Sequence, residues 1–109
     1  MVSLNVDIGE AATGFAAIGS EARLAVLRAL VRAGPASLSV GAIQAATGMA
    51  PSTLAHHLRA LRDAGIVMQE KTGRAVVSRA DFDRLEALAH FILDECCADM
   101  CSADTRIAN

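Results

Sequence analysis

Apolar residues recur at helical spacing in four successive stretches of the N-terminal two thirds of the chain. From Asp7 to Ile18, Asp7 and Glu10 stand at capping-box spacing, and Ile8, Ala11, Phe15 and Ile18 share one helical face. This predicts a first helix, although Gly9 and Gly14 each cost it about 1 kcal/mol relative to alanine, so it needs tertiary or partner contacts to persist. Ser20 then stands as the cap of a second helix carrying Leu24, Leu27, Leu30 and Val31, stopped by Gly34 and Pro35. Ser39 caps a short third helix through Val40 and Ile43 that ends at Gly48. Pro51 suits the first turn of a fourth, which runs through Leu54, Leu58 and Leu61 to Gly65.

After Gly65 the period shortens towards two. Ile66 to Glu70 and Ala75 to Ser78 read as the strands of a hairpin, with Lys71, Thr72, Gly73 and Arg74 as its turn. Asp81 caps a long last helix, expected over residues 81–101, whose Phe82, Leu85, Leu88, Ala89, Phe91, Ile92 and Leu93 cover roughly 200° of arc, where one core needs about 100°. A second buried surface is therefore expected. In a single-domain chain a second copy is the economical partner, so the predicted assembly is a homodimer.

The 109 residues suffice for one domain with one core, taken here as residues 1–109. Hydrophobic residues make up 53%, but 23 of them are alanine and there are only 3 Phe, with no Tyr or Trp, a composition that suits closely packed short helices. The chain shows no secretory leader pattern and no apolar run of the roughly 20 residues needed to span a bilayer, so a cytoplasmic protein without membrane contact is expected. All three cysteines fall between positions 96 and 101. They cannot staple distant parts of the chain, and the clustering points to ligation or redox chemistry.

Two helices joined by a tight turn, the second followed by a hairpin, form the order of a winged helix-turn-helix, here mainly α with a small β-hairpin in the sequence α-α-α-α-β-β-α. With Leu54, Leu58 and Leu61 set inward on the fourth helix, Ser52, His56, Arg59 and Asp63 fall near the opposite side and Thr53 flanks them. Ser52, Thr53, His56 and Arg59 combine hydroxyls, a ring donor and a guanidinium, which suit phosphates and base edges in a major groove. The competing reading of the same residues is an ordinary solvated helix face. His57 borders the apolar side and is read as a packed or capping histidine. From Ser52 to Arg79 the local charge is +3, through Arg59, Arg62, Lys71, Arg74 and Arg79, against −5 for the remainder. A basic unit on an acidic body fits a module that faces phosphates, with Lys71 and Arg74 at the hairpin tip reaching a flanking groove or backbone.

Three stretches carry a resemblance to a known family: Phe15 to Leu27, Leu38 to Ile43, and Thr53 to Val67 with its His56-His57-Leu58 and Ala64-Gly65-Ile66. With the wing they span about residues 10–95 and resemble the ArsR/SmtB winged-helix metalloregulatory repressors. The resemblance implies a dimer through the first and last helices, binding to an imperfect palindrome in double-stranded operator DNA, and release when a metal or metalloid binds. The cysteine motif that arsenic-sensing members often carry at the third helix is missing, since this chain reads Leu38-Ser39-Val40-Gly41-Ala42-Ile43. His90 with Asp94 gives only a fragment of the Asp and His set of the divalent-metal branch. What remains, Cys96-Cys97-Ala98-Asp99-Met100-Cys101, resembles the C-terminal vicinal-cysteine sites of some arsenite-responsive members.

Three thiolates without an imidazole make a soft three-coordinate site, suited to trivalent arsenic or antimony. On that basis Cys96, Cys97 and Cys101 are the expected effector ligands, with no organic cofactor. Zinc or cadmium with a recruited fourth ligand, a disulfide or persulfide switch, and three inert thiols stay open as alternatives. Cys97 and Cys101 share a face of an ideal helix while Cys96 points elsewhere, so ligation of all three is expected to distort the helix end. Enzymatic arrangements are poorly served: Cys101 to Arg106 has the wrong spacing for an oxyanion loop, and His56-His57 lacks the glutamate of a zinc hydrolase.

Overall fold

The computed structural model describes residues 5–96 and Asp99. Its elements run α1 (Ile8–Ile18), α2 (Glu21–Ala33), β1 (Leu38–Ser39), α3 (Val40–Thr47), α4 (Pro51–Asp63), β2 (Val67–Thr72), β3 (Ala75–Ala80) and α5 (Phe82–Leu93). The caps lie where the sequence places them. Asp7 and Glu10 close a full capping box on α1, and Ser20, Ser39 and Asp81 each accept a backbone N–H from the first turn of α2, α3 and α5. The end of α4 is a Schellman arrangement, in which Gly65 at φ +80° lets its own N–H reach the Arg62 carbonyl and that of Ile66 reach Leu61. Ile66, fully buried, is thereby locked into the core as the chain turns into β2.

The sheet has one strand more than expected. β1 pairs antiparallel with β3 through Leu38 opposite Ser78 and Ser39 opposite Val77, giving the order β1-β3-β2. Two residues are too few to show a period, and Ser39 serves at once as strand end and helix cap. The hairpin is also longer and its turn tighter than the pattern suggested. Pairing continues to Thr72 opposite Ala75, so Gly73 and Arg74 alone form the connection, with Gly73 at φ +66° as the primed hairpin turns require. Lys71 consequently sits within β2, opposite Val76, and not at the tip.

One core joins α2, α3, α4 and the base of the sheet through Val26, Leu27, Leu30, Ile43, Leu54, Leu58, Leu61, Ile66, Val67 and Ala80. In α2 the inward set is Val26, Leu27 and Leu30, while Leu24 and Val31, predicted to face inward, are exposed. A larger departure occurs in α1. Its buried face is Ala11, Gly14 and Ala17, whereas Ile8 is 76% and Phe15 39% exposed. The cause is close approach: a Cβ built on Gly14 would lie 2.9 and 3.1 Å from the two terminal methyls of Leu88 and 3.5 Å from Ile66. Only small residues allow α1 to lie this near α5 and the core, and the large side chains are turned out.

α5 ends sooner than predicted. Asp94 is its C-cap and Cys96 lies in the turn that follows, its N–H bonded to the Leu93 carbonyl at 2.9 Å. Asp94 and Glu95 put two carboxylates beside the negative end of the helix dipole, which opposes continuation. The argument from an ideal helix over residues 81–101 thus does not hold for Cys96, and Cys97 and Cys101 lie outside the described residues.

Candidate nucleic-acid interface

α4 is strongly two-sided. Leu54, Leu58 and Leu61 are buried, and Ser52, Thr53, His56, Arg59, Arg62 and Asp63 are exposed. Of the five α-helices among the described residues it alone has no side-chain cap: Ala50 is its N-cap and Pro51 opens it. The backbone N–H groups of Ser52 and Thr53 are left free of a capping side chain, with the helix dipole behind them, next to two hydroxyls. Such an end favours an anion.

Two of the predicted residues differ from the rest in what they can offer. Arg62 is bonded to the neighbouring Asp63 through Nε at 3.2 Å and a terminal nitrogen at 2.9 Å, so its charge is partly cancelled. Arg59 forms no such pair among the described residues. In the wing, Arg74 occupies the two-residue turn at the tip, while Lys71 shares a strand face with Val67 and Gln69. At the base of that face Gln69 donates from Nε2 to the buried Ser78 Oγ at 3.2 Å, so no buried polar side chain among the described residues is unpaired.

His57, expected to be packed or capping, has a definite partner that sequence reading did not supply. Its Nδ1 accepts a hydrogen bond from Arg23 Nε at 3.4 Å, linking α2 to α4 across 34 positions of sequence. Desolvation by burial, then the Arg23 guanidinium, then the neighbouring His56 hold its pKa below the ordinary 6.5. The ring is therefore kept uncharged and able to accept.

Charge follows the fold more closely than the local count implied. Residues 21–80, which hold α2 to β3, carry a net +5, and the flanking segments that hold α1 and α5 carry −7. The effector candidates lie at the acidic end. Cys96 is exposed, and His90 Nδ1 lies 3.0 Å from Asp94 Oδ1 one turn before it. Among the described residues, no three His, Cys, Asp or Glu side chains converge as a metal site. No helix among them is long and apolar enough to cross a membrane.

A helix, a three-residue turn and an outward-facing second helix, braced by a third helix and followed by a β wing, define a winged helix-turn-helix domain. Comparison agrees. A family profile described as a helix-turn-helix domain matches residues 18–70. The chain is similar to a crystal structure of a possible transcriptional regulatory protein from Mycobacterium bovis, at 30% identity and a TM-score of 0.62, covering 81% of this chain and 95% of that one. A solution structure of the same Mycobacterium bovis fragment is also similar, and is described as the homodimeric winged helix-turn-helix DNA-binding domain of a possible ArsR-family transcriptional regulator, Mb0332. That match has 28% identity, a TM-score of 0.63 and coverage of 90% of each chain. An ArsR-like transcriptional regulator from Rhodococcus sp. RHA1 matches at 29% identity and a TM-score of 0.68, over 84% of this chain and 83% of that one. No curated protein matches. The chain belongs to the ArsR family of winged helix-turn-helix transcriptional regulators.

Proposed function

We propose that this chain is a homodimeric repressor that binds double-stranded operator DNA through α4 and the wing, and that trivalent arsenic or antimony releases it by binding Cys96, Cys97 and Cys101. The observation that carries the DNA reading is the outward face of α4. It presents Ser52, Thr53, His56 and Arg59 beside an uncapped helix start, within a segment of net charge +5. Phosphate contacts from such a face position the duplex, and Arg59 and His56 offer donors to base edges in the major groove. Arg74 at the wing tip and Lys71 behind it extend the contact along the backbone; Arg62, shared with Asp63, contributes least.

Dimerisation is supported by the apolar side chains that the monomer leaves at its surface. On α1 these are Ile8 and Phe15, and on α5 they are Phe82, Ile92 at 58% and Leu93 at 63% exposure. The homodimeric state of the similar Mycobacterium bovis domain agrees with a second copy as the occupant. A twofold pair spaces two α4 helices for two half-sites of a palindrome.

The effector reading rests on the three clustered thiols and on Cys96 being exposed. Arsenous acid, As(OH)3, exchanges its three hydroxides for three thiolates, the thiol protons leaving with the hydroxides as three waters and arsenic staying trivalent. Because α5 ends at Leu93, ligation acts on the chain just past a helix that bears the exposed apolar surface, and so biases the spacing of the two α4 helices. A coupling of about 2–3 kcal/mol would weaken operator binding roughly 30- to 150-fold.

The test is fluorescence anisotropy on duplex from the promoter region next to its gene, under reducing conditions, titrating arsenite, antimonite, zinc and cadmium in parallel. Release by arsenite or antimonite, abolished in a Cys96/Cys97/Cys101→Ser triple variant, is the expected result. Release by zinc or cadmium alone, or release only when an oxidant replaces the reductant, would overturn the effector assignment, and absence of duplex binding would overturn the repressor reading itself.

A further inference from the structure

Arg23 is set apart from the other two arginines of α2. At 100° per residue it lies within about 40° of Leu27 and about 20° of Leu30, on the side that packs into the core, whereas Arg28 and Arg32 are turned to the opposite side. It is anchored at both ends. Its backbone N–H donates to Ser20 Oγ at 3.0 Å, and its Nε donates to His57 Nδ1 at 3.4 Å.

That leaves the two terminal nitrogens of the guanidinium, with their four N–H groups, free of any ion pair among the described residues. A half-buried cation without a counter-charge is costly unless an anion completes it. The identity of the acceptor is informative here. A carboxylate at position 57 would orient Arg23 equally well and cancel its charge, while an uncharged imidazole orients it and leaves the charge intact. Partial burial, Arg23 itself and His56, whose ring centroid is 5.6 Å away, all favour the uncharged ring.

The direction in which this charge is offered follows from α4. His57 stands on the flank of the helix that also carries Thr53 one turn before it and Ala60 nearly one turn after, and this flank borders the exposed His56. When α4 enters a major groove, the phosphates bounding that groove run along such a flank.

We propose that Arg23 is a phosphate-contacting residue of the DNA interface, aimed at the duplex backbone by its hydrogen bond to His57. The interface then includes α2, which neither the sequence pattern nor the exposed face of α4 indicates. This inference rests on the DNA-binding reading above, and its test separates the two.

The measurement is anisotropy of the intact chain on the promoter duplex and on an unrelated duplex of equal length, over a salt series, with thermal melting of every variant alongside. Arg23→Gln is expected to weaken both duplexes by a similar factor, about tenfold, and to lower the slope of log affinity against log salt by about 1. Arg23→Lys keeps the charge but not the directed fork, and is expected to keep the salt slope while losing part of the affinity. His57→Phe, which removes the acceptor and no charge at neutral pH, is expected to behave like Arg23→Lys. Wild-type affinity and slope in Arg23→Gln would overturn the proposal. So would a loss of affinity that keeps the wild-type slope and follows a lowered melting temperature, because that is the signature of a purely structural clasp. If the wild-type chain binds neither duplex, the failure lies with the DNA-binding reading and takes this proposal with it.

Discussion

α4 buries three leucines and shows solvent only polar or small side chains, whereas α1 and α5 bury alanines, Gly14 and Leu88 and leave Ile8, Phe15, Phe82, Ile92 and Leu93 outside. The first pattern is that of a helix with one apolar neighbour and one aqueous or ionic one. The second has apolar residues on two sides, and the inner side is small so that the helices approach closely. Charge divides along the same line, +5 over residues 21–80 and −7 over the flanking segments. A polyanion is drawn to the first segment and repelled by the flanks, whose carboxylates lie mostly outside the bodies of α1 and α5, at Asp7, Asp81, Asp94 and Glu95, so a duplex on the α4 face is the arrangement that charge favours. The contrast assigns separable tasks to the two regions, and substitutions confined to one should spare the other.

The largest effect is expected at the exposed apolar surface. Ile92→Glu places a carboxylate where a second copy would bury it, and should weaken the dimer roughly a hundredfold while the monomer melts as before. Sedimentation velocity over a concentration series reads this directly. A dimer of wild-type affinity would remove α5 from the interface and undo the contrast between the two regions.

Next comes the inner side of α1. Gly14→Val drives a branched side chain against Leu88, itself almost fully buried, and should destabilise the fold by about 1–3 kcal/mol in urea unfolding. A stabilised Gly14→Val protein would show that the α1–α5 approach is looser than described, and that glycine is needed there for no packing reason.

On the α4 side the sharper comparison is between two arginines three positions apart. Arg59→Ala should cost about tenfold in duplex affinity with a salt slope lower by about 1, while Arg62→Ala, which releases Asp63 as it removes a partly cancelled charge, should cost clearly less. Equal losses measured by anisotropy would mean that the net charge of the face, which each substitution lowers by one, sets the affinity, and not whether a guanidinium is free to reach a phosphate.

How far the sequence foretells these differences depends on what produces each one. Caps and stops are local chemistry, so Asp7, Ser20, Ser39, Asp81, Gly48 and Gly65 could be read one by one, and the outward face of α4 follows from three leucines at regular spacing. The inner face of α1 could not. A hydrophobic pattern ranks Ile8 and Phe15 above Ala11 and Gly14, and only the distance to Leu88 reverses the order. β1 is too short to carry a period, and its partner lies about forty residues on. The Arg23–His57 bond is equally non-local, and nothing in the spacing of either residue announces it. The end of α5 does carry a local signal, since Asp94 and Glu95 oppose the helix dipole, but the apolar arc that runs up to Leu93 masks it.

The smallest expected effect probes the joint between α2 and α4 through acid. His57 binds its proton less readily in the folded chain than at the ordinary 6.5 of an unfolded one, through burial first, then Arg23, then His56. As pH falls through 6.5 the unfolded chain takes up a proton that the folded chain still refuses, so stability falls with acid from there down to the lowered folded value, below which this group adds no further slope. Wild-type urea midpoints should therefore decline across that window more than those of His57→Gln, whose amide oxygen still accepts from Arg23 but does not titrate. Arg23→Gln should reduce the decline only in part, because desolvation, the larger cause, remains. If wild type and His57→Gln lose stability in parallel on acidification, the histidine is not held uncharged by its place between the helices, and the reason for preferring it to a carboxylate beside Arg23 disappears.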